Sequence, residues 1–341
     1  MIRVLLMAAL LLLPVAHAQE WEDDADPASL AQAAAHQTYT ARLAGTLARG
    51  GGARELALAA VLRTAANAPQ VRAPDGEAPS RRAPRDPQVD AWLRTAAAKA
   101  GDDPIAHQLL VAATPAGSEP RREAARRWQA ADPGNLMPLL YADLTADALL
   151  AAARNATRAD ARMYEGVRWI ASAWRRHPPT AAEQAALSAG EAFDAEEAAA
   201  ISATGLWAAI AMPAYATLAE ACGADMLRAL PARRDDCRHV ATLLAETPSS
   251  VADEQAGLGM LRTLATTPAE RADIDARLRR MDWRMLEWGR IAQQQPRGGA
   301  AQFARLLADP SIRTEQQLVE RVLQEAGVTP DPPPGWQPPR R

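Results

Sequence analysis

The chain has 341 residues, a formal net charge of −3 and 48% hydrophobic residues, which is enough for one large core or two modest ones. Lys99 is the only lysine among 38 basic residues, and the near-neutral balance excludes the global basic field that nucleic acid or an anionic membrane surface attracts. Apolar content comes mainly from Ala and Leu, with nine Trp but only four Tyr and two Phe, and β-branched residues are sparse, so helices are favoured over strands.

The chain opens with MIRVLLMAALLLLPVAHA. Arg3 precedes an apolar run from Val4 to Val15, which ends in the small-x-small step Ala16-His17-Ala18. This is the pattern of a Sec signal peptide, residues 1–18, with cleavage expected after Ala18. The run is too short to span a bilayer comfortably, so an uncleaved anchor is the lesser alternative. A periplasmic or secreted protein is expected, with no membrane insertion after cleavage.

Helices are predicted throughout, at 28–49, 53–67, 87–100, 104–113, 119–131, 136–153 and 158–176, then at 181–189, 194–222, 231–246, 250–265, 268–294, 300–308 and 314–326. Asp-Pro steps mark helix starts, because the Asp side chain caps and the proline suits the first turn. They stand at Asp26-Pro27, Asp86-Pro87, Asp103-Pro104, Asp132-Pro133 and Asp309-Pro310. Thr180 with Glu183, Thr267 with Glu270 and Thr314 with Gln317 read as capping boxes. In 268–294, Ile274, Leu278, Met281, Met285, Trp288 and Ala292 recur at steps of four and three, an apolar stripe that faces the core or forms a groove for a partner.

Two segments break the pattern. Residues 68–87 hold five prolines and no apolar period, so 69–86 is read as an exposed loop or linker. The tail PDPPPGWQPPRR, 330–341, cannot be helical and is expected to be extended or disordered, solvated in preference to docked through Trp336. The implied organisation is an N-terminal hairpin region at 19–68, a helical array at 87–193 and a C-terminal helical region at 194–329.

One stretch carries a family resemblance. REAARRWQAADPGNLMPLLYADL, 122–144, resembles the junction between tetratricopeptide (TPR) repeats, where a helix ends in a D-P-x-N turn and the next begins at once. Asp132, Pro133 and Asn135 fit that turn, and LARGGGARELALAA, 47–60, looks like the turn within such a repeat. Ala125 and Trp128 depart from the family pattern, as does the position near Asp143, and no fixed period emerges. The resemblance implies an α-solenoid that binds peptides or proteins. The expected fold is therefore all-α, an array of antiparallel helical hairpins continuing into a compact bundle.

Motifs that carry chemistry are missing. His36, His107, His177 and His239 lie outside any H-E-x-x-H, and no P-loop, G-x-S-x-G or Glu-Ser pair of the lytic transglycosylase kind occurs. Gly257-Leu258-Gly259 has no strand before it and is read as close helix packing. Acidic EDDAD at 22–26 and RRDD at 233–236 lack the spacing of a magnesium-binding D-D-x-x-D. No catalytic residue, cofactor or metal is therefore assigned.

Cys222 and Cys237 are the only cysteines, fourteen residues apart, which is not the C-x-x-C of a redox couple. Cys237 and His239 point apart on a helix, and with Cys222 they offer no standard zinc spacing. In an oxidising compartment two lone cysteines pair. Cys222 ends a helix, Gly223 is expected to stop it in the left-handed conformation, and Cys237 lies almost two turns into the next helix. A disulfide is expected, worth roughly 3 kcal/mol by chain entropy. Together these features suggest an exported binding or scaffold protein that engages polypeptides. The competing reading is an envelope hydrolase using a pair of acidic residues in a helical cleft.

Overall fold

The computed structural model describes residues 27–67, 86–187, 193–210, 213, 215–294 and 296–339. The expected signal peptide, and the proline-rich loop up to residue 85, lie outside these residues. The fold is all-α, with no strand among the described residues and one isolated bridge between Asn135 and Arg158.

The helices are α1 (Pro27–Gly50), α2 (Ala53–Ala66), α3 (Pro87–Lys99), α4 (Pro104–Ala113), α5 (Glu119–Ala131), α6 (Met137–Leu140), α7 (Ala146–Ala153), α8 (Met163–Arg176) and α9 (Ala181–Leu187). They continue with α10 (Ala195–Ile210), α11 (Tyr215–Ala221), α12 (Ala224–Ala229), α13 (Arg234–Glu246), α14 (Val251–Leu264), α15 (Pro268–Gln294), α16 (Pro296–Ala308) and α17 (Glu315–Glu325), and a single 3-10 turn, Pro231–Arg233, leads into α13.

Two compact units share the chain. One comprises the described residues within 27–131 and 173–187, the other those within 132–172 and 193–339. This grouping crosses the division expected at 193/194, and hydrogen bonding accounts for it. Ala159 N donates to Thr247 Oγ1 at 3.2 Å, Ala161 N to Ser249 Oγ at 3.1 Å, and Arg168 Nε to the Leu307 carbonyl at 2.6 Å.

In the first unit, α1 and α2 form a hairpin around Gly51, whose φ of 69° is the left-handed conformation that the R-G-G-G stretch supplies. Leu56 to Leu62 are all buried, because α2 packs on α1, α3 and α4 at once. Asp86 and Asp103 cap α3 and α4 as their Asp-Pro steps predict; Asp103 Oδ1 accepts from Ile105 N and Ala106 N and also pairs with Arg54.

The other described Asp-Pro steps behave differently. Asp309 closes a turn onto Ser311, and Asp132 opens the D-P-G-N turn. There Asn135 Oδ1 accepts from Met137 N and Asp160 N, while its amide donates to Asp132 Oδ2 and the Asp160 carbonyl. The turn thus fixes the segment before α8, and only the four-residue α6 follows it.

Several predicted helices divide. The predicted 136–153 splits into α6 and α7, because Asp143 adopts a φ of 53° and Thr145 starts a new helix by accepting from Ala148 N. The predicted 194–222 splits into α10 and α11 around Pro213, which has no N–H to donate. Gly223 is extended and N-caps α12, a helix missed by the sequence reading, so it is not the left-handed stop expected of it.

Cys222 and Cys237 form the expected disulfide, with Cα atoms 5.6 Å apart and both side chains buried. Gly257 lets α14 approach α13 so closely that a Cβ there would lie 2.5 Å from Ala245 N, as the close-packing reading predicts.

Candidate functional site

Helix α15 is the longest in the second unit and presents two faces. Ile274, Met281 and Ile291 are buried, while Met285 and Trp288, also on the predicted stripe, are only half-buried. Arg280, Trp283 and Arg284 project from the helix at steps of three and four, so they share one strip, with Arg280 exposed and Trp283 and Arg284 half-buried.

The chain is delivered to that strip by the end of α17. Thr314 and Gln317 form the predicted capping box at its start. At its end Gly327 takes a φ of 68°, Val328 N donates to the Leu323 carbonyl and Gly327 N to the Gln324 carbonyl. This paired closure satisfies the last carbonyls and sends the chain away from the helix axis.

The proline-rich tail is non-helical, as its composition requires, yet it is docked where solvation was favoured. Trp283 Nε1 donates to the Thr329 carbonyl at 3.0 Å, and Arg284 Nε donates to the Pro330 carbonyl at 3.2 Å. Arg280 Nε meets Asp331 Oδ1 at 2.6 Å. Trp336 N then donates to the Pro333 carbonyl across Pro334 and Gly335, the latter at φ 79°. Proline followed by a positive-φ glycine is the pattern of a type II turn. The turn returns the Trp336 ring to Trp283, centroids 5.4 Å apart and 75° between planes.

The hold is modest. An exposed ion pair contributes about 0–1 kcal/mol, and an edge-to-face aromatic pair about 0.5–1.5 kcal/mol beyond its buried area. A net advantage of about 2 kcal/mol leaves the tail detached for a few per cent of the time.

Beside the tail lies a shallow, half-open depression of about 10 Å³, room for about one water molecule, lined by Val251, Glu254, Met281, Arg284, Met285, Gln316 and Val319. Arg284 belongs to both, and its Nη1 also pairs with Glu320 at 2.9 Å. Its lining combines two methionines and two valines with the polar Glu254, Arg284 and Gln316.

Behind it stands a cluster of acids. Asp253 is buried; its Oδ2 accepts from the backbone N and the hydroxyl of both Ser249 and Ser250, and its Oδ1 accepts from the Tyr215 hydroxyl. Glu315 Oε2 accepts from Val251 N at 2.8 Å. Burial raises the Glu315 pKa above the usual carboxylate range, the Val251 hydrogen bond opposes this, and the Asp253 charge adds to the rise. Burial also raises the Tyr215 hydroxyl, with Asp253 next. Both acids cap the N-terminus of α14, where the helix dipole favours negative charge.

The residues considered from sequence are dispersed. His107 Nε2 lies 2.7 Å from the Gly101 carbonyl and His239 Nε2 lies 3.0 Å from the Ala156 carbonyl. His177 offers its carbonyl to the Tyr39 hydroxyl, and His36 lies on α1. In RRDD, Arg233 pairs with Asp147 at 2.5 Å and Asp236 makes a two-pronged pair with Arg154; EDDAD lies outside the described residues. No group of three or more His, Cys, Asp or Glu among the described residues has the geometry to hold a metal ion.

The sequence reading missed Arg280, Trp283 and Arg284 as a seat. Their signal was a donor-rich strip alternating with the apolar stripe, together with the P-P-G-W turn downstream. No protein family, curated protein or solved structure matches this chain.

Proposed function

We propose that this protein is an exported helical binding or scaffold module that engages polypeptides in the bacterial envelope, and that this strip of α15 is where it does so. One observation carries the reading: the strip already holds a non-helical segment of polypeptide, residues 329–331, and two of its three polar contacts go to main-chain carbonyls. Donors aimed at backbone oxygens recognise an extended chain as such, whatever its side chains. Within the same unit as α15, helices α13 and α14 pack closely against each other and α14 packs on α15, which gives the strip a helical backing.

The hydrolase reading draws on Asp253 and Glu315. Their oxygens accept from serines, a tyrosine and the start of α14, a capping role that leaves binding as the better-supported function.

A peptide array probed with the full chain, in which Trp336→Ala frees the tail, tests the proposal. Saturable binding of extended peptides, with every peptide recovered uncleaved, is the expected result. An array silent at sub-millimolar protein, or peptides cut in a manner abolished by Glu315→Gln, sinks it.

A further inference from the structure

We infer that the α15 seat is selective, taking extended proline-rich segments that carry an acidic residue, with the chain's own tail as the resident competitor. The inference rests on the polypeptide-binding reading and names its ligand class.

The seat and its occupant are complementary in kind. Trp283, Arg280 and Arg284 meet the tail with N–H donors only. The segment Pro330–Pro334 has four prolines and therefore a single backbone N–H, at Asp331. A strip of donors with no acceptor matches a segment of acceptors with almost no donors. A segment without prolines would bring backbone N–H groups that the strip leaves without partners, at a cost when they are covered. Proline-rich chains are also extended before binding, so little entropy is lost on docking.

Charge sets the second requirement. Arg280 meets the carboxylate of Asp331, while Arg284, one turn on, is paired with Glu320 and reaches the tail only through the Pro330 carbonyl.

The tail's contacts lie within eleven residues of the end of α17, so it competes at a local concentration on the order of millimolar. A free segment must displace it. Releasing the tail should therefore raise the apparent affinity for a free segment about tenfold or more.

The test uses the full chain and a fluorescein-labelled peptide with the sequence of residues 328–339, read by anisotropy. Expected is weak binding to the native chain and at least tenfold tighter binding to the Asp331→Ala/Trp336→Ala chain. Replacing the peptide's aspartate with lysine should cost most of that gain, and adding Arg280→Glu to the released chain should restore it. This charge exchange distinguishes recognition from a folding defect, since a misfolded chain is not rescued by an altered peptide. If the released chain binds a proline-free peptide of equal length as well as the proline-rich one, the selectivity is overturned and polypeptide binding stands. If it binds neither, both fall.

Discussion

The six-membered ring of Trp207 lies directly over the bare Cα of Gly166: a Cβ built there would fall 2.2 Å from the ring. Trp207 is buried on α10, so the contact joins α10 to α8. Gly166→Ala is expected to destabilise the protein by about 1–3 kcal/mol, because overpacking outweighs the better helix propensity of alanine. Adding Trp207→Leu should recover part of the loss. Denaturant titration of the single and double variants checks this, and additive losses would show that the two positions are not coupled.

Two glycines on α14 give a sharper contrast. At Gly257 a Cβ would sit 2.5 to 2.9 Å from backbone atoms of Ala245, Ala241 and Leu244; at Gly259 it would meet nothing within 4 Å. Gly257→Ala should therefore cost about 2 kcal/mol or more, since main chain cannot step aside as a side chain can. Gly259→Ala should stabilise by about 0.5–1 kcal/mol through helix propensity alone. Thermal melts of the two variants should shift in opposite directions.

The Arg42–Glu183 pair ties α9 to α1 and makes stability depend on acid. Hydrogen bonding from Arg42 is the main reason the Glu183 pKa drops to about 2, with the Thr180 cap contributing after it. A folded-state pKa below the unfolded value stabilises above the ordinary glutamate range, and that contribution is lost as pH falls from about 4.5 toward 2. Glu183→Gln should flatten the fall in stability over this window and leave the slope between pH 6 and 8 unchanged. An unaltered acid limb in the variant would remove Glu183 from the account.

The disulfide should brace the α11–α13 region. Non-reducing mass analysis should find no free thiol, and paired Cys222→Ala/Cys237→Ala substitution should lower stability by roughly 3 kcal/mol. Both sulfurs are buried, so reduction should need denaturant. Rapid labelling of two thiols in the native protein would contradict the pairing.

The sequence by itself determined the helical class, most helix positions and the local stops and starts. These depend on groups only a few residues apart: Asp86 or Asp103 capping the next turn, Thr180 with Glu183, Gly51 at its positive φ, Ala and Leu filling the cores. The pairing of the two cysteines was legible because two lone cysteines in an oxidising compartment pair, even though Gly223 does not stop the preceding helix as expected. The breaks near Asp143 and at Pro213 were less legible, since apolar periodicity runs across them while a single backbone angle or a missing N–H decides the outcome.

Only the tertiary structure decided which elements group together. Residues 132–172 join the C-terminal helices through the bonds of Ala159, Ala161 and Arg168, which link positions far apart in the chain and leave no local trace. It also decided the fate of the tail. Composition alone fixes that PDPPPGW is not helical. Whether it is solvated or docked depends on where Trp283, Arg280 and Arg284 stand when α15 is packed, some fifty residues away in sequence and one indole ring away in space.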